Sequence, residues 1–345
     1  SKLLLLQSTL QVNPQECLEI WNKCRGCCHA ITDLSRPLGE QKIGMALFPA
    51  HSFYNHGCAP DAFLSCLLPV DSRTKECAVT ARVVACRGVQ KGEPITLSYI
   101  PLSGIGRRER QMRLKDGYQF TCTCLYCRET TIPKTDAFEV EQVLGGDFAS
   151  SDEEIHQILG PLRELQIECH QNLTVAASMQ NSSNPEEDPK KDCTEQCIAT
   201  LQMAQRGIRN NKIPASQEVS LECHRLLAVA YSLLHGMEED AIDQELQHHE
   251  EFLTAAEKAR PLMDPSALAV QHQLMARCLQ QKVDAKAVGE GSEELKKQQE
   301  FHRNEAIRVA RTALGGHHPF VCSLRESDTS TMSTDKKRKL EHETS

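Results

Sequence analysis

Tyr118-Gln-Phe-Thr-Cys-Thr-Cys-Leu-Tyr-Cys127 contains a C-x-C-x-x-C run, Cys122, Cys124 and Cys127. Three thiols this close converge on one soft metal ion more readily than they pack as separate apolar side chains. Zinc takes four tetrahedral ligands with Zn–S near about 2.3 Å, so a fourth must arrive from elsewhere. Cys58, in Asn55-His-Gly-Cys-Ala-Pro60, is the best candidate. An ion shared between them pins two distant pieces of chain. Four protein ligands close the site, which makes it structural and not catalytic. The competing reading is a set of buried free thiols.

The chain has 17 cysteines in 345 residues, an odd count in a long chain without a secretion signal. That pattern points to a reducing compartment, cytoplasmic or nuclear, in which most remaining cysteines are small buried hydrophobes. Cys24, Cys27 and Cys28 offer a second C-x-x-C but no companion pair at finger spacing. Cys193 and Cys197 stand in a polar stretch. His248-His249 and His317-His318 lack acidic or thiol partners at ligand spacing and read as helix-surface and turn residues.

Composition bounds the function classes. Hydrophobic residues at 40% and charged residues at 25% describe a globular chain of two or three domains. No apolar run approaches the roughly 20 residues of a membrane span, and Leu3 to Leu6 is too short for a signal sequence. A net charge of −8, from 39 basic against 47 acidic residues, argues against direct nucleic-acid binding.

Residues 1 to about 40 read as mostly helix, with Asn13-Pro14 as a start and Cys17, Leu18, Ile20 and Trp21 as an apolar face. The β-branched run Ala78 to Ala85 and the stretch Pro94 to Tyr99 read as strands. Arg107, Arg108, Arg110, Arg113 and Lys115 read as a solvated helix face; the alternative is a guide for an acidic partner or a cofactor carboxylate. Beyond Cys127 the spacing is helical to about residue 315, with 181–192 and Ser292 to Glu300 as polar connectors. Repeated helix pairs suggest tetratricopeptide-type stacking. The segment from about 321 to 345 reads as a disordered tail, with Lys336 to Lys339 a weak nuclear address.

Several elements stand in one order: Gly44-Met-Ala-Leu-Phe-Pro49, Ser52-Phe-Tyr-Asn55-His56-Gly-Cys58-Ala-Pro60, Gly92-Glu93-Pro-Ile-Thr-Leu-Ser-Tyr99, and Tyr118 to Cys127. Each is weak alone; the order is specific. It resembles the C-terminal half of a SET domain with its post-SET segment. With the helical region behind it, the chain resembles the SET and MYND domain-containing protein-lysine methyltransferases. The likeness covers residues 15 to 130 well and the helices loosely. The family's opening Gly-x-Gly strand and MYND finger have no counterpart in residues 1–345. Gly57 replaces a usual serine, and Asp61 a usual asparagine.

The resemblance implies an α+β fold: a small, mostly β SET portion over residues 1–103, a zinc-bound post-SET segment over 104–130, and an α-helical, tetratricopeptide-like domain over 131–320. It implies S-adenosylmethionine and zinc as cofactors and a histone or non-histone protein as substrate. Asn55 and His56 would contact S-adenosylmethionine, Tyr99 would orient the amine and methyl group, Tyr118 would line the lysine channel, and Phe120 would pack on adenine. Cys58, Cys122, Cys124 and Cys127 match the family's zinc ligands. Two rival readings stand beside this one. One is a non-catalytic scaffold binding partner peptides through its helices; the other is a zinc-containing transcriptional regulator, supported only by the basic cluster at 107–115.

Overall fold

The computed structural model describes residues 28–32, 42–67, 80–127, 151–179, 188–259, 262–285 and 292–325, apart from single positions 103, 125, 239 and 317; before residue 28 it describes Asn13, Gln15, Glu16 and Glu19. The fold is α+β, with six short strands followed by long helices among the described residues. β1 (Cys28–Thr32) and β2 (Lys42–Leu47) pair antiparallel, Cys28 opposite Leu47, with a register shift between Ile31 and Thr32. The expectation of helix up to about residue 40 therefore fails at β1. Two β-branched residues, Ile31 and Thr32, end that segment, and pairing with β2 decides its conformation.

A 3₁₀ turn (Pro49–Phe53) leads into β3 (Asn55–His56). β4 (Ala62–Leu67) and β5 (Thr80–Ala85) form a second antiparallel pair, from Ala62 opposite Ala85 to Leu67 opposite Thr80. β6 (Thr96–Leu97) is shorter than the expected strand at 94–99, because Pro94 has no N–H to pair. It runs parallel to β3, with Asn55 opposite Thr96 and His56 opposite Leu97. The chain then stays with β6: Gly57 N–H donates to Leu97 C=O at 2.9 Å and Asp61 N–H to Thr96 C=O at 3.2 Å. Residues 55–61 thus wrap the two-residue strand.

α1 (Arg107–Tyr118) does not carry the expected solvated basic face. Arg110 is completely buried, its guanidinium donating to the Ile105 and Tyr126 carbonyls at 2.7 and 2.8 Å. Arg113 pairs with Glu109 and with Glu218, and Arg163 pairs with the same two carboxylates. Burial alone would lower the Arg113 pKa, but Glu218 and Glu109 outweigh it and raise it. Neither a solvated face nor a free guide for an anion describes Arg110 or Arg113, while Lys115 is exposed as expected.

In the helical region each helix packs on the next: α2 (Asp152–Ser178), α3 (Pro189–Asn210), α4 (Glu218–Leu233), α5 (Ala241–Lys258), α6 (Pro265–Ala285) and α7 (Ser292–Leu314). Its starts are chemically plain. Ser151 Oγ accepts from Glu154 N–H at 3.1 Å, and Asp188 Oδ1 accepts from Lys190 N–H at 2.9 Å with Pro189 in the first turn. Two expected connectors are corrected. Helix begins at Pro189, inside 181–192, and Ser292 to Glu300 is the opening of α7, where Glu293 and Glu294 suit the positive end of the helix dipole. Residues 319–325 are also helical, with Phe320, Val321 and Leu324 buried, so ordered chain extends past residue 321; the remainder of the expected tail, 326–345, lies outside the described residues. Cys197 sits 2% exposed in α3, and His248, His249 and His318 are buried, not surface residues. Cys24, Cys27 and His317 lie outside the described residues.

Two apolar cores result. One unites α2 to α4 with the start of α5. The other joins Cys58, Cys122 and Cys127 to α5, α6, α7 and Phe320. α7 also packs on β4 and β5, and Ser65 Oγ donates to Leu314 C=O at 3.3 Å. Among the described residues no helix is long and apolar enough to cross a membrane.

The strand and helix regions are joined through Gly104. Its N–H donates to Leu262 C=O at 3.2 Å, its φ is +72°, and a Cβ there would lie 1.9 Å from Ser216 C=O. Only glycine satisfies both demands. Gly104→Ala should destabilise the chain by more than about 1 kcal/mol. An unchanged urea midpoint would show that this junction is not tight.

Candidate metal centre and aromatic cluster

The wrap of residues 55–61 around β6 brings Cys58 beside the run that follows α1. The ligand atoms of Cys58, Cys122, Cys124 and Cys127 all lie within 4.8 Å of one another. Cys58 Sγ is 3.4 Å from Cys127 Sγ and 4.0 Å from Cys122 Sγ. Four sulfurs at about 2.3 Å from a common centre are separated by about 3.8 Å, so this spacing can hold a tetrahedral metal ion. Cys58, Cys122 and Cys127 are buried, and Cys124 is half-buried. Hydrogen bonds from Cys124, Cys127 and Cys58 pull the Cys122 thiol far below its ordinary pKa, while those with Cys122, Cys124 and Cys127 push the Cys58 thiol up.

Residues invisible to motif reading hold the run in place. Gln111, on α1, clamps Cys122 at both ends: its Nε2 donates to Cys122 C=O at 2.7 Å and its Oε1 accepts from Cys122 N–H at 2.9 Å. Arg110 Nη2 lies 3.9 Å from Cys127 Sγ. A buried guanidinium beside sulfurs compensates negative charge when they ionise. A helix holding five basic residues gave no sign of which one turns inward.

His56 joins the cysteines to the aromatic residues. Its Nδ1 accepts from Tyr99 N–H at 3.1 Å, which leaves Nε2 as the protonated nitrogen, 3.2 Å from Cys58 Sγ. Both ring nitrogens are therefore used inside the protein. The Tyr99 hydroxyl donates to Tyr54 C=O at 2.5 Å, and the Tyr118 hydroxyl to Tyr99 C=O at 2.8 Å. Ring centroids lie 4.9 Å apart for Tyr99 and Tyr118, 6.1 Å for Tyr99 and Phe120, and 6.0 Å for His56 and Phe120. The expected site residues Tyr99, Tyr118, Phe120 and His56 thus form one cluster, and Asn55 stands exposed at its edge.

The two departures from the resembled pattern share one cause. Asp61 Oδ2 accepts from Thr96 N–H at 3.0 Å and Thr96 Oγ1 at 2.8 Å, while Oδ1 accepts from Arg87 Nε at 2.7 Å. Burial pushes the Asp61 carboxyl up, but these bonds from Thr96 and Arg87 outweigh it and hold its pKa below the usual range. A Cβ at Gly57 would meet that fixed Thr96 Oγ1 at 2.5 Å. The serine expected at Gly57 would collide with the hydroxyl that Asp61 holds.

Stretches of this chain resemble known proteins. No family model matches the chain, and no solved structure matches it. A histone-lysine N-methyltransferase of Arabidopsis thaliana, ATXR4, is 37% identical over 92 residues, 27% of this chain and 25% of that protein. A SET and MYND domain-containing protein of Dictyostelium discoideum is 33% identical over 100 residues, covering 29% and 22%. About 100 residues of this chain are similar to SET and MYND domain-containing proteins. The human histone-lysine N-methyltransferase SMYD1 is 31% identical over 105 residues, covering 30% and 21%. The chain spans about a quarter or less of the length of these relatives.

Gly57→Ala should destabilise the chain by about 1–3 kcal/mol, the cost of overpacking. Thr96→Ala should also destabilise, by loss of the Asp61 bonds. The double variant should lose at least about 0.5 kcal/mol less than the sum of the two. Strict additivity in denaturant titrations would rule out the collision.

Proposed function

We propose that this chain carries the C-terminal part of a SET-type unit that methylates lysine side chains of histone or non-histone proteins, with S-adenosylmethionine as donor. The observation that carries the reading is the Tyr99–Tyr118–Phe120 cluster, anchored through His56 to four convergent cysteines. S-adenosylmethionine, when bound, supplies a methyl group on a positively charged sulfur. Asn55 and Phe120 are the residues to hold it, Asn55 by an exposed amide and Phe120 by a ring face. His56 contributes by positioning Tyr99, because its ring nitrogens are already engaged.

In-line transfer to an amine needs alignment and desolvation more than a strong base. The Tyr99 hydroxyl suits that task. Its proton goes to Tyr54 C=O, so toward an amine N–H the hydroxyl acts as an acceptor, without a full charge beside the developing cation. The Tyr118 hydroxyl is tied to Tyr99 C=O, which fixes the neighbouring wall.

Zinc is the ion assigned to Cys58, Cys122, Cys124 and Cys127, because an all-thiolate tetrahedron selects it. With four protein ligands its role is structural. Cys124→Ser should lose the tightly held ion and, with it, the near-ultraviolet circular dichroism of Tyr118 and Phe120. Unchanged metal content would remove the four-cysteine site.

A second reading rests on a cavity of about 730 Å³ in the helical region, lined by Arg163, His170, Glu222, Arg225 and Phe252 among others. Its lining does not include the aromatic cluster. In this reading the helices, tetratricopeptide-like in their stacking, bind a partner peptide, and the strands are a scaffold.

Calorimetry on the folded, zinc-loaded chain separates the two. The methyltransferase reading expects S-adenosylmethionine to bind, with affinity lowered several-fold by Phe120→Ala, the loss of about 1 kcal/mol of stacking. It also expects Tyr99→Phe to bind the donor normally but lose most transfer to bulk histones. Absence of binding would leave the scaffold reading.

A further inference from the structure

α4 and α5 bring His224, His248 and Glu251 together at one wall of a cavity of about 640 Å³. His248 and Glu251 are three residues apart on α5 and share a face; His224 comes from the facing helix. The expectation that His248 lacks an acidic partner at ligand spacing is corrected: Glu251, three residues on, is one, and His224 comes from another helix. His224 Nδ1 is 3.2 Å from His248 Nδ1 and 2.9 Å from Glu251 Oε2; His248 Nδ1 is 3.5 Å from the same oxygen.

That triangle has the dimensions of a metal site. With metal–nitrogen and metal–oxygen distances of about 2.0–2.2 Å, the edge of a tetrahedron is about 3.4 Å. Hydrogen bonds between neutral rings cannot satisfy all three edges. If both Nδ1 atoms carry protons, both donate to Glu251 but the two N–H groups oppose each other. If only one does, a nitrogen lone pair faces the carboxylate oxygen. A central cation turns every edge into a pair of ligands.

The surroundings support the same use. Tyr231 stacks on the His248 ring at 5.7 Å and fixes its plane. Sites of this kind in helical bundles are built from side chains on facing helices.

We propose that His224, His248 and Glu251 form a second zinc site, with three protein ligands and a fourth position open to the cavity. Arg209 and Lys258 also line that cavity, so the open position takes water or a carboxylate-bearing ligand. Three ligands hold zinc less tightly than four thiolates. This site therefore exchanges its ion under chelation that leaves the cysteine site filled.

The test is zinc content and zinc binding on the full chain. After dialysis against a mild chelator, Zn²⁺ alone is titrated in by calorimetry. The proposal expects one exchangeable ion per chain at micromolar zinc, in addition to the ion retained by the cysteines. Glu251→Gln and His224→Ala should each weaken the exchangeable site at least tenfold, with the retained ion and melting temperature unchanged. Glu251 is half-exposed, so its variant keeps the test valid where a histidine variant fails to fold. Cobalt at this site should show ligand-field bands without thiolate charge transfer. Exchangeable binding that survives both substitutions, or that needs millimolar zinc, overturns the proposal. The cysteine site is judged separately, by the retained ion.

Discussion

The hydrogen bond from Tyr99 N–H to His56 Nδ1 is the constraint on which the candidate site depends. It sets the tautomer of His56, and the tautomer turns the other ring nitrogen toward Cys58 Sγ. One imidazole thereby registers the cysteine cluster against the aromatic cluster. Without it, Tyr99 and Cys58 would still lie just past the paired strands β6 and β3, but this bond would no longer fix the ring plane between them. The wrap of residues 55–61 around Thr96 and Leu97 is what brings the two partners within reach.

The wrap is itself maintained by charge and by closeness. Asp61 binds the backbone and hydroxyl of Thr96, and Arg87 holds Asp61 from the other side. Gly57 leaves the space that this arrangement needs. Asp61 has a lowered pKa, so its contribution is complete above the ordinary carboxylate range and is lost as pH falls through the lowered value. Ordinary pH changes near neutrality leave it untouched. On the far side of the cysteines, α1 supplies Arg110 and Gln111, and α5 to α7 cover the cluster with apolar side chains. The helical region is therefore part of the site's support and not an appended unit.

Much of this was readable from residue order. The three-cysteine run and the distant Cys58 were identifiable as a set because thiols have few alternative uses in that spacing, whereas the tyrosines came only from the family resemblance. What escaped has a common physical form. Arg110 is one of five basic residues on a short helix, and only the packed structure distinguishes the one that turns inward. Thr96, Asp61 and Gly57 act through contacts between segments some 35 residues apart, which no local pattern encodes. His224 and His248 belong to different helices, so their convergence is a product of packing. Other misses were of emphasis: Asp188-Pro189 is a clear helix start that the polar run around it obscured, and β1 was hidden among helix-like neighbours.

The central claim is that one zinc ion ties Cys58 to the run Cys122–Cys127 and so holds the aromatic cluster in place. A crystal structure with diffraction data on both sides of the zinc edge tests it directly. The account predicts an anomalous peak centred about 2.3 Å from all four sulfurs, with the Tyr99 ring beside it held through His56. A disulfide between any two of these cysteines, or a metal peak elsewhere with these sulfurs empty, would contradict it.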